Sequence, residues 1–219
     1  MEKKLKRDQL PAEKAKNWKK NFKEEADKTF NLKITPIILQ KETYKSLIGE
    51  NENRVRVYLG LENKKDGNKY VLCAYAVSSF LLGSGDVYAD YETPVYKLNK
   101  NNEDFSDNTE EVIESIRLYR KWRSGEIEPD ADGAAFRQYI YPNAYLLTKF
   151  ELHELFNAQN HEEIVLEFGV SKTMNIMLSS ASSAISATEQ TVEAADELEY
   201  YDEAQLCPPF CDERSIYNS

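Results

Sequence analysis

The chain has 219 residues, 41% of them hydrophobic and 30% charged, and a net charge of −10. That length suits one large domain or two small ones, and the acidic balance argues against nucleic acid as the main partner, since phosphate binding needs a basic surface. No apolar run approaches the roughly 18 residues of a membrane-spanning helix, so no membrane insertion is expected.

The basic stretch Met1–Asp8 lacks the apolar segment of a secretory signal, which makes the cytoplasm the expected location. A first helix starts near Pro11, a residue suited to the first helical position. Ala15, Trp18, Phe22 and Ala26 follow at helical spacing, with lysines between them, and predict an amphipathic helix with a basic solvent side. A short strand, Ile34 to Leu39, is interrupted by Pro36 and is therefore expected at a sheet edge. A short helix over 41–48 comes next. The clearest hairpin joins Arg54–Leu61 to Lys69–Ser79 through Lys64-Lys65-Asp66-Gly67, where Asp-Gly supplies positive φ. Val55, Val57, Leu59 and Leu61 share one face; Arg54, Arg56 and Tyr58 share the other. The second strand is apolar on both faces and should be the more central. A further strand is read at Asp86–Tyr91.

The next helix opens at Asp107, with Glu110 three residues on as a capping-box-like acid. Val112, Ile116, Tyr119 and Trp122 form its apolar stripe. Pro142 precedes a short edge strand, Ala144 to Leu147, and a short helix over 149–157. Ile164, Leu166 and Phe168 then alternate with Glu163, Val165 and Glu167, and Ser171-Lys172-Thr173 turns the chain into Met174–Ser180. Ser179–Gln205 fits helix, strand or disorder. No basic residue occurs from Thr173 to Asp212, and the part after Glu189 reads as a flexible acidic tail.

The order of elements repeats. Leu39, Lys41 and Leu47 return as Leu147, Lys149 and Leu155 at an offset of 108. Val55, Val57, Leu59 and Gly60 return as Ile164, Leu166, Phe168 and Gly169 at an offset of 109, and the two tryptophans, Trp18 and Trp122, lie 104 apart. Charge does not follow the repeat: residues 1–105 carry +4 and residues 106–219 carry −14, a contrast that fits ordinary drift between copies plus an acidic tail, with attraction of the halves within the chain or head-to-tail between chains as the alternative.

Three cysteines make a poor disulfide framework, and an odd count fits a reducing compartment. Cys207-Pro208-Pro209-Phe210-Cys211 is the most distinctive local motif. Its thiols can close a small ring or share a soft metal, although a complete zinc site needs about four ligands. With Phe210 as an anchor, the same peptide fits docking or packing. Glu128-Pro129-Asp130-Ala131-Asp132-Gly133 resembles the start of a calcium loop, but Tyr139 stands where a bidentate Glu belongs, which favours a solvated acidic turn. Gly83-Ser84-Gly85-Asp86 leads into an extended segment rather than a helix, so it is not a phosphate loop. His153 and His161 read as surface residues. Fourteen tyrosines suit half-buried sheet positions or an interaction surface, and the interaction surface is the reading preferred.

The run Arg56-Val57-Tyr58-Leu59-Gly60-Leu61, with the terminal Cys-Pro-Pro-Phe-Cys, resembles a group of small uncharacterised bacterial proteins. Those proteins have a helix, a strand–helix step, a hairpin and a C-terminal Cys-Pro-Pro-x-Cys. The resemblance implies a modular build and a bacterial origin, and no activity; this chain departs from it by carrying the unit twice.

The expected fold is α+β, with two tandem units over 1–105 and 106–188 and an acidic tail over 189–219. Each unit has an amphipathic helix, a short strand, a short helix and a hairpin, and the two pack with approximate two-fold symmetry through the helices bearing Trp18 and Trp122. The expected function is a non-catalytic interaction, scaffold or assembly protein with a protein partner or self-association, and no cofactor or metal. The alternative is a redox or metal-responsive module using Cys207 and Cys211.

Overall fold

The computed structural model describes residues 6–29, 33–63, 70–83, 85–127, 137, 140–180, 199–202, 204–208 and 211–218. The expected Asp-Gly turn, the calcium-like loop, the middle of the 179–205 stretch and Phe210 lie outside the described residues.

The fold is mixed α+β. In chain order, β1 (Gln9–Leu10), α1 (Ala12–Thr29), β2 (Lys33–Ile34), β3 (Ile37–Gln40) and α2 (Lys41–Ile48) precede β4 (Arg54–Asn63), β5 (Tyr70–Leu82), β6 (Val87–Lys97) and β7 (Glu103–Asp104). Then come α3 (Thr109–Ser124), β8 (Ala144–Leu146), α4 (Lys149–His153) with a π-helical turn (Glu154–Ala158), β9 (Glu163–Val170) and β10 (Met174–Ser180). The chain finishes with β11 (Tyr200–Tyr201), β12 (Gln205–Cys207) and a 3₁₀ turn (Ile216–Asn218).

Two sheets result. The first has the order β1-β11-β10-β9-β3 and the second β12-β8-β4-β5-β6-β7, with β2 lying parallel beside β5. All other pairings are antiparallel. Alternation decides which side chains meet. Ile164, Leu166 and Phe168 of the first sheet join Val55, Val57 and Leu59 of the second in one shared core. α1 covers the outer face of the first sheet through Ala15 and Trp18, beside Met177 and Tyr200. Val112 and Ile116 of α3 cover the outer face of the second, against Tyr58, Tyr75 and Val77.

The connections between the sheets are reciprocal. β3 pairs with β9, and β8 pairs with β4. Leu39 stands opposite Ile164, while the Leu147 N–H donates to the Val55 carbonyl at 2.9 Å. α1 packs on β9, and α3 packs on β4. Lys41 pairs with Glu162 at 3.2 Å, and Lys149 reaches Glu52 at 3.9 Å. Each half of the chain therefore supplies its long helix and short strand to the hairpin of the other half.

Two expectations change. β8 is not an edge strand, because β12 pairs along its free side. The end of the chain, expected as a flexible tail, is instead built into both sheets: β11 lies between β1 and β10, and Tyr200, Tyr201, Cys207 and Tyr217 are buried. The burial of three tyrosines in one stretch supplies the apolar area that the acidic composition concealed.

Candidate functional site

The cysteine motif closes on itself. Cys207 and Cys211 form a disulfide, Cys207 being fully buried at the end of β12. The residues just beyond it hold the C-terminus over β4–β6. The Asp90 N–H donates to Asp212 Oδ2 at 2.9 Å, and the Tyr58 hydroxyl faces Ser215 Oγ at 3.3 Å. The Tyr217 hydroxyl donates to the Glu92 carbonyl, with its ring centroid 5.6 Å from that of Tyr58.

Beneath this clasp lies a buried ionic network. Arg56 Nε donates to Asp90 Oδ1 at 2.7 Å, with both side chains 1% exposed. Ser79 Oγ donates to the same oxygen at 2.6 Å, and the Tyr58 hydroxyl donates to Asp90 Oδ2. Burial first, and then the Asp90 carboxylate, push the Tyr58 hydroxyl far above its ordinary range. The network anchors side chains of β4, β5 and β6 to one another, with the Arg56 and Asp90 side chains sealed from solvent.

The tryptophans have separate settings. Trp18 is partly buried, with the Lys14 ammonium 4.6 Å from its ring centroid. Trp122 is fully buried in the main core beside Tyr119 and Tyr141, beneath the Arg137 guanidinium. They do not share a contact surface. Of the histidines, His153 is exposed, and the His161 ring lies 3.0 Å from Gln159 Oε1.

Two concave sites stand out among the described residues. An acidic cleft of about 470 Å³ lies between α3 and the β4–β7 edge, lined by Glu62, Glu103, Glu111 and Glu114. Lys97 pairs with Glu62 inside it, and Tyr75 donates to the same carboxylate at 3.3 Å. Burial opposes the charge on Lys97, but the hydrogen bond it donates to Glu62, together with the negative charge of that carboxylate, outweighs burial and leaves the ammonium pKa raised. Cys73 lies beneath, its thiol pushed up to about 11 by burial. Among the described residues no group of three or more His, Cys, Asp or Glu side chains could hold a metal ion.

The larger site is a groove of about 780 Å³ between α1 and the β3–β9 edge of the first sheet. Its floor and walls are Phe22, Ile34, Pro36, Ile38, Val165 and Phe168, and its helix-side rim is Lys19, Lys20 and Lys23. The groove exists because Trp18 and Ala15 hold one stretch of α1 against Met177, leaving Ile38 and Val165 only half covered. Lys19 is spoken for, 2.7 Å from Glu167. Burial works against its charge, yet Glu167 more than compensates and the pKa is raised. Among the described residues Lys20, 73% exposed, reaches only the exposed Glu24, at 3.7 Å, and Lys23 carries no ion pair. Glu163 closes the strand end. Such a site can take apolar side chains flanked by acids. The alternation of lysines with apolar residues in α1 signalled a basic face; that this face overhangs an open apolar floor is a tertiary fact.

No known protein family, curated protein or solved structure matches this chain. Among the described residues no helix is long and apolar enough to cross a membrane.

Proposed function

We propose that this is a non-catalytic protein-interaction protein, built by tandem duplication of one α+β unit, whose lysine-rimmed groove receives an acidic, apolar segment of a protein partner. The observation that carries the reading is the groove itself. It falls within the roughly 300–1,000 Å³ range of binding clefts, has an apolar floor, and offers two ammonium groups not committed to buried partners. The reciprocal pairings of β3 with β9 and β8 with β4 support the duplication: two copies of a unit that exchanged their helices and short strands would be related in this way.

The test is site-specific photocrosslinking in the native host, from a photoreactive residue at position 38 and from a control at position 114 in the acidic cleft. Adducts at position 38 that map to an acidic, apolar segment, and vanish with Lys20→Glu plus Lys23→Glu, support the reading. The same adducts at both positions, or adducts indifferent to the lysines, refute it.

A second reading rests on the Cys207–Cys211 disulfide. Because it sits where β12 meets the Asp212–Asp90 clasp, its reduction would loosen the C-terminal cover of the second sheet.

A further inference from the structure

Among the described residues, the large hydrophobic side chains that are most exposed are Leu81, Leu82, Val87 and Tyr91, at 41–55%. All four belong to one element, the far end of the β5–β6 hairpin. β4 pairs with β5 only as far as the Arg54–Ser79 register, so beyond Ser79 the hairpin continues as a two-stranded ribbon. An isolated two-stranded ribbon is marginal in water and gains from being covered. This one is stiffened: the Phe80 and Tyr91 rings lie 4.6 Å apart, and the Arg54 guanidinium sits 4.5 Å from the Tyr88 ring centroid. Its apolar tip is flanked by exposed acids, Asp86 in the turn at φ 53° and Glu92 on β6.

The chain thus carries an apolar, acid-flanked projection and an apolar, lysine-rimmed groove. They cannot meet within one molecule. Ile34, in the groove wall, pairs with Leu72 near the start of β5. Leu81 lies nine residues further along the same strand, about 30 Å away at roughly 3.3 Å per residue.

We propose that the occupant of the groove is the β5–β6 projection of a second copy of this chain, giving head-to-tail self-association. The inference rests on the groove being a docking site, as proposed above, and names its occupant. Leu82 and Val87, paired on one face of the ribbon, enter between Phe22, Ile38 and Val165, while Asp86 and Glu92 approach Lys20 and Lys23. Because projection and groove are different surfaces, each docked pair leaves one of each free, and the assembly grows into an open chain or closes as a ring. The contact is small, so association is weak and strengthens with concentration.

The test is sedimentation of the full chain across a concentration series, together with Leu82→Asp in the projection and Val165→Glu in the groove. Wild type should rise above its monomer mass of 25.3 kDa as concentration increases. Each variant alone should stay monomeric, and their equimolar mixture should form a dimer and nothing larger, since one intact projection meets one intact groove. Lys20→Glu with Lys23→Glu, on the exposed rim where folding is not at stake, should weaken assembly, and adding Asp86→Lys should restore it. Variants that associate like wild type, or a mixture that stays monomeric, overturn the proposal. Binding of the anionic dye anilinonaphthalene sulfonate separates the two readings. A monomeric wild type whose dye signal is lost in Val165→Glu ends self-docking but leaves the groove standing. A monomeric wild type with dye signal indifferent to Val165→Glu ends both.

Discussion

Arg56 Nε donates to Asp90 Oδ1 at 2.7 Å across two strands, and neither side chain is more than 1% exposed. Removing one member strands the other charge in the interior, which typically costs about 3–5 kcal/mol. We expect Asp90→Ala to fall in that range by urea unfolding. Ser79→Ala, which removes one donor to the same carboxylate, should cost about 1–3 kcal/mol. A loss below 1 kcal/mol for Asp90→Ala would mean that the pair is not buried.

Gly60 and Gly169 hold equivalent places under the two long helices. A Cβ on Gly60 would collide with Ser115 Oγ of α3 and come within 2.9 Å of the Tyr75 ring. One on Gly169 would lie 2.8 Å from Trp18 Cβ of α1 and 2.9 Å from Met177 Cε. Overpacking of this kind costs about 1–3 kcal/mol, and Gly60→Ala and Gly169→Ala should each lose that much, measured by denaturant midpoint at unchanged slope. If either is neutral, its helix does not cross there.

Cys73 is buried and its thiol is held protonated, whereas Cys207 and Cys211 are joined. Thiol titration of the native chain without reductant should find no reactive group near neutral pH. Unfolding without reductant should release one thiol and unfolding with reductant all three. The five-residue ring is short, so reduction should lower stability by about 2 kcal/mol. Two reactive thiols in the native, unreduced chain would refute the clasp.

Alkali should destabilise the fold before neutral conditions do. Burial raises Cys73 from 9.0 to about 11 and Tyr201 from 10.0 to about 12, so above pH ~9 the unfolded chain releases protons that the native chain keeps. Stability therefore falls as pH rises through this window. Lys19, also raised, contributes in the same direction, since its pair with Glu167 is lost as its proton leaves. On the acid side, Glu154 is lowered by its hydrogen bond from Lys6, and its contribution fades as pH falls through the carboxylate range. Urea midpoints at about pH 7, 9 and 10.5 check this; a midpoint that climbs between the last two contradicts it.

Local chemistry made much of the architecture legible. Alternation at Val55, Val57, Leu59 and Leu61 marked β4, and the spacing of Val112, Ile116, Tyr119 and Trp122 marked α3. These signals lie within a few residues of one another, where backbone geometry fixes which side chains share a face. Partnership between distant segments leaves no such trace. Arg56 reads as a polar-face residue until Asp90, on a third strand, buries it, and Tyr200 and Tyr201 read as part of an acidic tail until β10 receives them. The sequence by itself determined the apolar stripes of α1 and α3, the main hairpin strands and the basic face of α1, but not the short strands β1, β7, β11 and β12. Only the tertiary structure decided that β3 joins β9 and β8 joins β4, that the C-terminus is a clasp, and that groove and projection stand apart. Periodicity encodes which face is buried, whereas long-range pairing is settled by which buried faces fit together once the chain has closed on itself.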